Sequence, residues 1–167
     1  MPMFRVVVQR TGKVTSDNSD SPKENVTDPS VDSTEVWPPP SRPFVILVAD
    51  DEVIVRNLVT LLMQREGYLV LTAADGREGL ELSRQYPGKI DLVITDVDMP
   101  RLNGTDLCAH LLEERPGIKV LVMSGADVNE IVSQNANLPF LPKPFDGETL
   151  RARVRAILGV PALPEAR

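Results

Sequence analysis

An α/β fold, a five-stranded parallel sheet doubly wound by helices, is what this 167-residue sequence predicts. Three observations carry the prediction. Between residues 44 and 158, five short apolar runs alternate with stretches at helical spacing, and no internal repeat interrupts them. Helix starts and stops recur between the runs: Asp75 with Glu78, Asp127 with Glu130, Asp146, then Gly67, Pro87-Gly88 and Pro116-Gly117. Finally, four of the five runs end in polar or charged side chains, at the sheet edge where ligands bind in open α/β sheets.

The elements follow in order. A strand over 44–49 leads into a helix over about 52–66, with Ile54, Leu58, Leu61 and Leu62 at the spacing of one buried stripe. A second strand covers 68–72 and a helix runs from Asp75 to about Tyr86. The run 91–95 reads as a fully buried third strand, followed by a helix over 105–114. Strand four is 118–123, helix four a short stretch within 127–137, and strand five 138–142. The last helix starts at Asp146 and places Leu150, Val154, Ile157 and Leu158 in a stripe. Five βα units in about 115 residues fit one flavodoxin-like domain over 44–159.

Residues 1–43 differ from the rest. Ser, Thr, Asp and Asn dominate from Thr11 to Thr34, and seven of the 15 prolines precede Phe44. Such a segment buries too little apolar surface to offset its ordering entropy, so an extended, disordered and dispensable leader is expected. Residues 160–167 form a short tail. The apolar share of 42% suffices for a core, and the net charge of -6 without a basic block disfavours nucleic-acid binding. No run is long enough to span a bilayer, and the start lacks a signal-peptide core. A single cysteine, Cys108, excludes an internal disulfide and fits a reducing compartment, so a cytoplasmic location is expected.

The strand ends gather chemistry. The first delivers Asp50 and Asp51, the third Asp96, the fourth Ser124 and Gly125, and the fifth Lys143. Each alone is ordinary: an acidic pair after a strand is commonly a turn and helix cap, and a lone lysine a solvated charge. Together they set three carboxylates against one ammonium. Repulsion would raise a carboxylate pKa unless a cation balanced the sum. All-oxygen ligation with room for water and phosphate oxygens suits Mg²⁺. A carboxylate nucleophile beside a cation, an ammonium and a hydroxyl is equipment for phosphoryl transfer.

In order, Asp50-Asp51, Asp96-x-x-Met99-Pro100-x-x-x-Gly104, Ser124-Gly125 and Lys143-Pro144-Phe145 resemble the receiver domain of bacterial two-component response regulators, over about Phe44 to Leu158. The resemblance implies that Asp96 accepts the phosphate. It implies Mg²⁺ held by Asp51, Asp96 and the backbone carbonyl of Asp98, with Asp50 acting through water. Lys143 would pair with the phosphoryl group, Ser124 would swing to hydrogen-bond it, and Phe140 would be the aromatic switch. The Lys143–Pro144 bond would be cis. A sensor histidine kinase or phosphotransfer protein would supply the phosphate, and a protein target would read it. Helix four is shorter than is typical of the family, and no output domain is expected after Arg167, so the chain reads as a stand-alone receiver.

A haloacid-dehalogenase-like phosphohydrolase shares the parts, with Asp96 as nucleophile and Asp98 as general acid. That family places its acidic pair after the lysine, whereas Asp50-Asp51 comes first here, and no cap insertion is present. A nucleotide-binding module would need glycines in the turn Ala49-Asp50-Asp51-Glu52, which has none. His110, the only histidine, is expected mid-helix in a solvated or half-buried structural role and Cys108 in the core, with Arg151, Arg153 and Arg155 on a solvated face.

Overall fold

In the computed structural model, residues 42–125 and 138–160 are described. The leader to residue 41, the short helix expected within 127–137 and the tail from residue 161 lie outside the described residues. Strands β1 (Val45–Ala49), β2 (Leu69–Ala73), β3 (Leu92–Asp96), β4 (Lys119–Ser124) and β5 (Phe140–Pro142) form one parallel sheet in the order β2-β1-β3-β4-β5. The described helices are α1 (Val53–Arg65), α2 (Gly76–Gln85), α3 (Gly104–Glu114) and α4 (Gly147–Leu158). The expected fold is therefore the observed one.

Alternation along each strand divides the core between two faces. Val45, Leu47, Ala49, Val93, Val120 and Val122 pack with Leu80 of α2 and with Leu107, Cys108 and Leu111 of α3. Ile46, Val48, Leu92, Ile94, Leu121 and Met123 pack with Val59, Leu62 and Met63 of α1 and with Leu150, Val154 and Leu158 of α4. Every residue of β1 and β3 is buried. Their apolar runs thus reflect coverage on both faces. Strand order reverses at β1 and β3, which opens a crevice beyond their carboxyl ends.

The helix boundaries have local causes. Asp75 caps α2 by accepting from the Arg77 and Glu78 N–H groups, while Glu78 reaches back to the Ala74 N–H at 2.7 Å. Asn103 caps α3 and Asp146 caps α4. Arg115, just past α3, donates to the Ser83 hydroxyl and to the Ser83, Tyr86 and Gly88 carbonyls, which closes the C-terminal end of α2.

Two expectations are corrected. Three of the four residues in the stripe expected to be buried on α1 face outward: Ile54 is 82% exposed, Leu58 47% and Leu61 46%, while Leu62 is buried as expected. The helix carries a second stripe, Val55, Val59, Leu62 and Met63, at the same i, i+4, i+7, i+8 spacing, and it is this one that meets the sheet. The two stripes are rotated by roughly a third of a turn, so spacing could not choose between them. The second correction concerns the arginines of α4. Arg151 and Arg155 do not lie on a solvated face; both pair with half-buried Glu66 at the end of α1. Arg153 is exposed, as is His110, and Cys108 is buried with its thiol pushed up to about 12 by burial.

Candidate functional site

Four of the five strand ends, all but that of β2, each set down one piece of the site. Beyond β1, Asp50 is fully buried, and its Oδ1 accepts the Glu52 N–H at 2.8 Å. Asp51 beside it is exposed. Asp96 closes β3 and is 6% exposed. Carboxylate oxygens of Asp50, Asp51 and Asp96 all lie within 4.8 Å of one another. Ser124 ends β4, buried, and its carbonyl accepts the Lys143 N–H at 2.8 Å, which holds Lys143 at the neighbouring strand end. The Lys143–Pro144 bond is cis.

The Lys143 ammonium lies 3.0 Å from Asp50 Oδ2, 3.0 Å from Asp96 Oδ1 and 3.5 Å from Glu52 Oε1. Burial pushes the Asp50 and Asp96 carboxyls up, and their bonds to Lys143 pull them back only in part. Repulsion, from Glu52 on Asp50 and from Asp50 and Asp98 on Asp96, is a lesser cause than burial. Burial would lower the Lys143 ammonium, but its bonds to Asp50 and Asp96 outweigh this and raise it. The pocket thus concentrates more negative charge than one lysine neutralises, on oxygen ligands alone, as a hard divalent cation requires.

Gly104 explains why the loop after Asp96 closes where it does. A Cβ there would collide with the Asp96 carbonyl, so only glycine lets α3 start against the end of β3. Asp98 and Pro100 in that loop are exposed and Met99 is buried. Phe140 is half-buried and packs against the cluster on the α2–α3 side. It pairs with Val122, and Ser124, two residues on, points to the same face, so the two expected switch residues share one side of the sheet.

Two site neighbours were not foreseen. Arg56 of α1 donates to the Asp50 carbonyl at 2.5 Å, and Glu52 adds a third carboxylate around Lys143, after Asp50 and Asp96. A charged residue one turn into an otherwise apolar helix start was the available signal for Arg56.

Comparison with known proteins decides the family. The response regulator receiver domain model matches residues 46–155. The chain belongs to the response regulator receiver domain family. The receiver is 36% identical over 145 residues to the alkaline phosphatase synthesis transcriptional regulatory protein SphR of Synechococcus elongatus, covering 80% of this chain and 56% of that protein. It is 34% identical over 116 residues to the sensor kinase CckA of Brucella abortus, covering 68% of this chain but 12% of the kinase. Among solved structures it resembles the CheX-CheY-BeF3-Mg complex of Borrelia burgdorferi, with a TM-score of 0.63 and 27% identity over 69% of this chain and 89% of that one. The receiver thus corresponds to only part of the curated relatives. Among its described residues no helix is long and apolar enough to cross a membrane.

Proposed function

We propose that this receiver takes a phosphoryl group onto Asp96 from a sensor histidine kinase or histidine phosphotransfer protein in the cytoplasm. It then signals through a change in affinity for a protein target. The observation that carries the reading is the Lys143 ammonium, 3.0 Å from both Asp50 and Asp96 inside a group of three carboxylates. An Asp96 oxygen attacks phosphorus, the bond from phosphorus to the donor's imidazole nitrogen breaks, and an acyl phosphate remains on Asp96. Lys143 pairs with a phosphoryl oxygen, and the Ser124 hydroxyl donates to another.

Mg²⁺ fits the donor set: Asp51, Asp96 and the Asp98 carbonyl would hold it, with Asp50 acting through water. Its charge would offset that building up on the transferred group. The Borrelia burgdorferi complex, which by its name contains Mg, supports Mg²⁺ as the cation. The receiver assists its own phosphorylation and dephosphorylation and turns over no separate substrate. The outward stripe of α1, Ile54, Leu58 and Leu61, starts immediately behind Asp51 and Glu52. It supports a helical donor docking on α1 with its phosphohistidine over the pocket.

Intact-mass measurement after incubation with acetyl phosphate and Mg²⁺ tests the reading. One phosphoryl adduct is expected on the wild type and none on Asp96→Asn. An adduct that persists in Asp96→Asn overturns the assignment of the acceptor.

A further inference from the structure

The loop between β3 and α3 carries Asp98, yet few bonds of its own define it. The Met99 N–H reaches the Val97 carbonyl at 3.2 Å and the Leu102 N–H the Pro100 carbonyl at 2.8 Å. The Gly104 N–H closes the loop onto the Val97 carbonyl at 3.0 Å. Its inner limb is anchored by buried Met99. Its outer limb, Arg101 and Leu102, is fastened to a different element. The Arg101 guanidinium pairs with Oδ2 of Asp75, the fully buried cap of α2.

Asp75 divides its two oxygens between two tasks. Oδ1 accepts the Arg77 and Glu78 N–H groups at 2.8 and 3.0 Å. Oδ2 accepts no hydrogen bond among the described residues, and the ion pair with Arg101 is its compensation. Arg101 itself holds φ of 68°, the left-handed region that a side chain other than glycine enters at an energetic cost. The loop backbone also sits directly on the first turn of α2. A Cβ at Gly76 would run into the Leu102 carbonyl. An uncommon backbone geometry, a close approach that only glycine permits and a buried carboxylate paired across the gap all fasten the same limb.

We propose that Arg101 and Asp75 are positioning residues for the cation site, tethering the loop so that the Asp98 carbonyl is already presented when the cation arrives. This rests on the reading of that carbonyl as a ligand. Without the Arg101 cation, Asp75 Oδ2 is left buried and uncompensated, and the outer limb loses its attachment to α2. A carbonyl on a loosened loop must be ordered at the moment of binding, so affinity falls although no ligand atom has changed.

Two measurements on the full chain test the proposal. The first is amide hydrogen exchange at Leu102 and Gly104 without metal. The second is a calorimetric Mg²⁺ titration. Arg101→Asn removes the cation yet tolerates the left-handed backbone, and Arg101→Lys restores the charge. Arg84→Ala, which breaks the exposed Arg84–Glu114 pair, is the control. Arg101→Asn is expected to speed exchange at both amides roughly tenfold and to raise the Mg²⁺ Kd about three- to tenfold. Arg101→Lys should recover most of both effects, and Arg84→Ala should show neither. Unchanged exchange in Arg101→Asn overturns the tether. Faster exchange at wild-type Mg²⁺ affinity overturns its link to the cation, and if Asp51→Asn still weakens binding, the site reading stands alone. Equal Mg²⁺ affinity in wild type and Asp51→Asn instead removes the site reading, and the link to the cation with it.

Discussion

Asp98 separates two chemistries that draw on the same parts. On the proposed reading it would act through its backbone carbonyl, whereas a phosphohydrolase of the rival type would use its side chain as general acid. The side chain is exposed and its charge adds to the upward push on Asp96. Asp98→Asn should therefore still be phosphorylated from acetyl phosphate, within a few-fold of the wild-type rate; a loss as deep as that of Asp96→Asn would return the rival. On the same proposed reading, Ser124 would carry the next step. A charge-assisted bond from its hydroxyl to the phosphoryl group is worth roughly 1.5–3 kcal/mol. That is comparable to the gap between two conformations of a switch. Ser124→Ala should accept phosphate yet bind the target as the unphosphorylated protein does, measured by affinity before and after phosphorylation. Full phosphorylation-dependent gain in the variant would show that the signal leaves by another route. These positions were legible in the sequence because each follows an apolar run that stops abruptly. Their depth was not. Nothing in the spacing of Asp50 and Asp51 says that the first is buried and the second exposed, since that depends on how α1 leaves the sheet edge.

At the scale of elements, periodicity placed the described strands and helices within a residue or two, because buried strands and capped helices write their boundaries locally. It misjudged which face of α1 is buried, because α1 has two stripes of equal quality and the choice between them is made by packing against β1, β3 and α4. It also missed the α1–α4 clamp of Glu66 with Arg151 and Arg155, whose partners are separated by nearly the whole domain. The outward stripe has a consequence that acetyl phosphate and a protein donor would report differently. Ile54 touches solvent over most of its surface, so Ile54→Asp removes little packing from the fold. It places a charge on the face where the donor is proposed to dock. Phosphorylation by acetyl phosphate should be unchanged, while transfer from a phosphorylated kinase or phosphotransfer protein should slow at least about tenfold. Equal slowing with both donors would place Ile54 in the chemistry or the fold, and no slowing with either would remove α1 as the docking face.

For the whole molecule, the contact that Arg42 makes just before the first strand is the one to weigh. Its guanidinium makes a two-pronged contact with Asp91, at 2.9 and 2.7 Å, from outside the first strand to the residue preceding the third. Asp91 is 4% exposed and also accepts the Val45 N–H at 2.9 Å, so this one carboxylate ties the chain's entry into β1 to the entry into β3. Burial pushes the Asp91 carboxyl up, but its bonds to Arg42, to the Val45 N–H and to Lys89 together hold it below the usual range. The unfolded value is about 3.9. The pair's stabilisation is therefore fully present above that pH and is lost as pH falls through the depressed folded value. Composition could not reveal this, because Arg42 lies at the edge of a polar, proline-rich stretch that otherwise reads as leader. Arg42→Ala in the full chain should lower stability at neutral pH by about 1–2 kcal/mol. The lower part of that range is favoured, since Arg42 is 44% exposed and Lys89 stays 3.3 Å from Asp91. Urea unfolding of wild type and variant at pH 7 and near pH 3 checks it, with the difference shrinking at the lower pH. A chain shortened to begin at Pro43 should show the same loss, and one beginning at Arg42 should not. A difference that persists unchanged at low pH would mean that Arg42 stabilises the fold by packing rather than by charge.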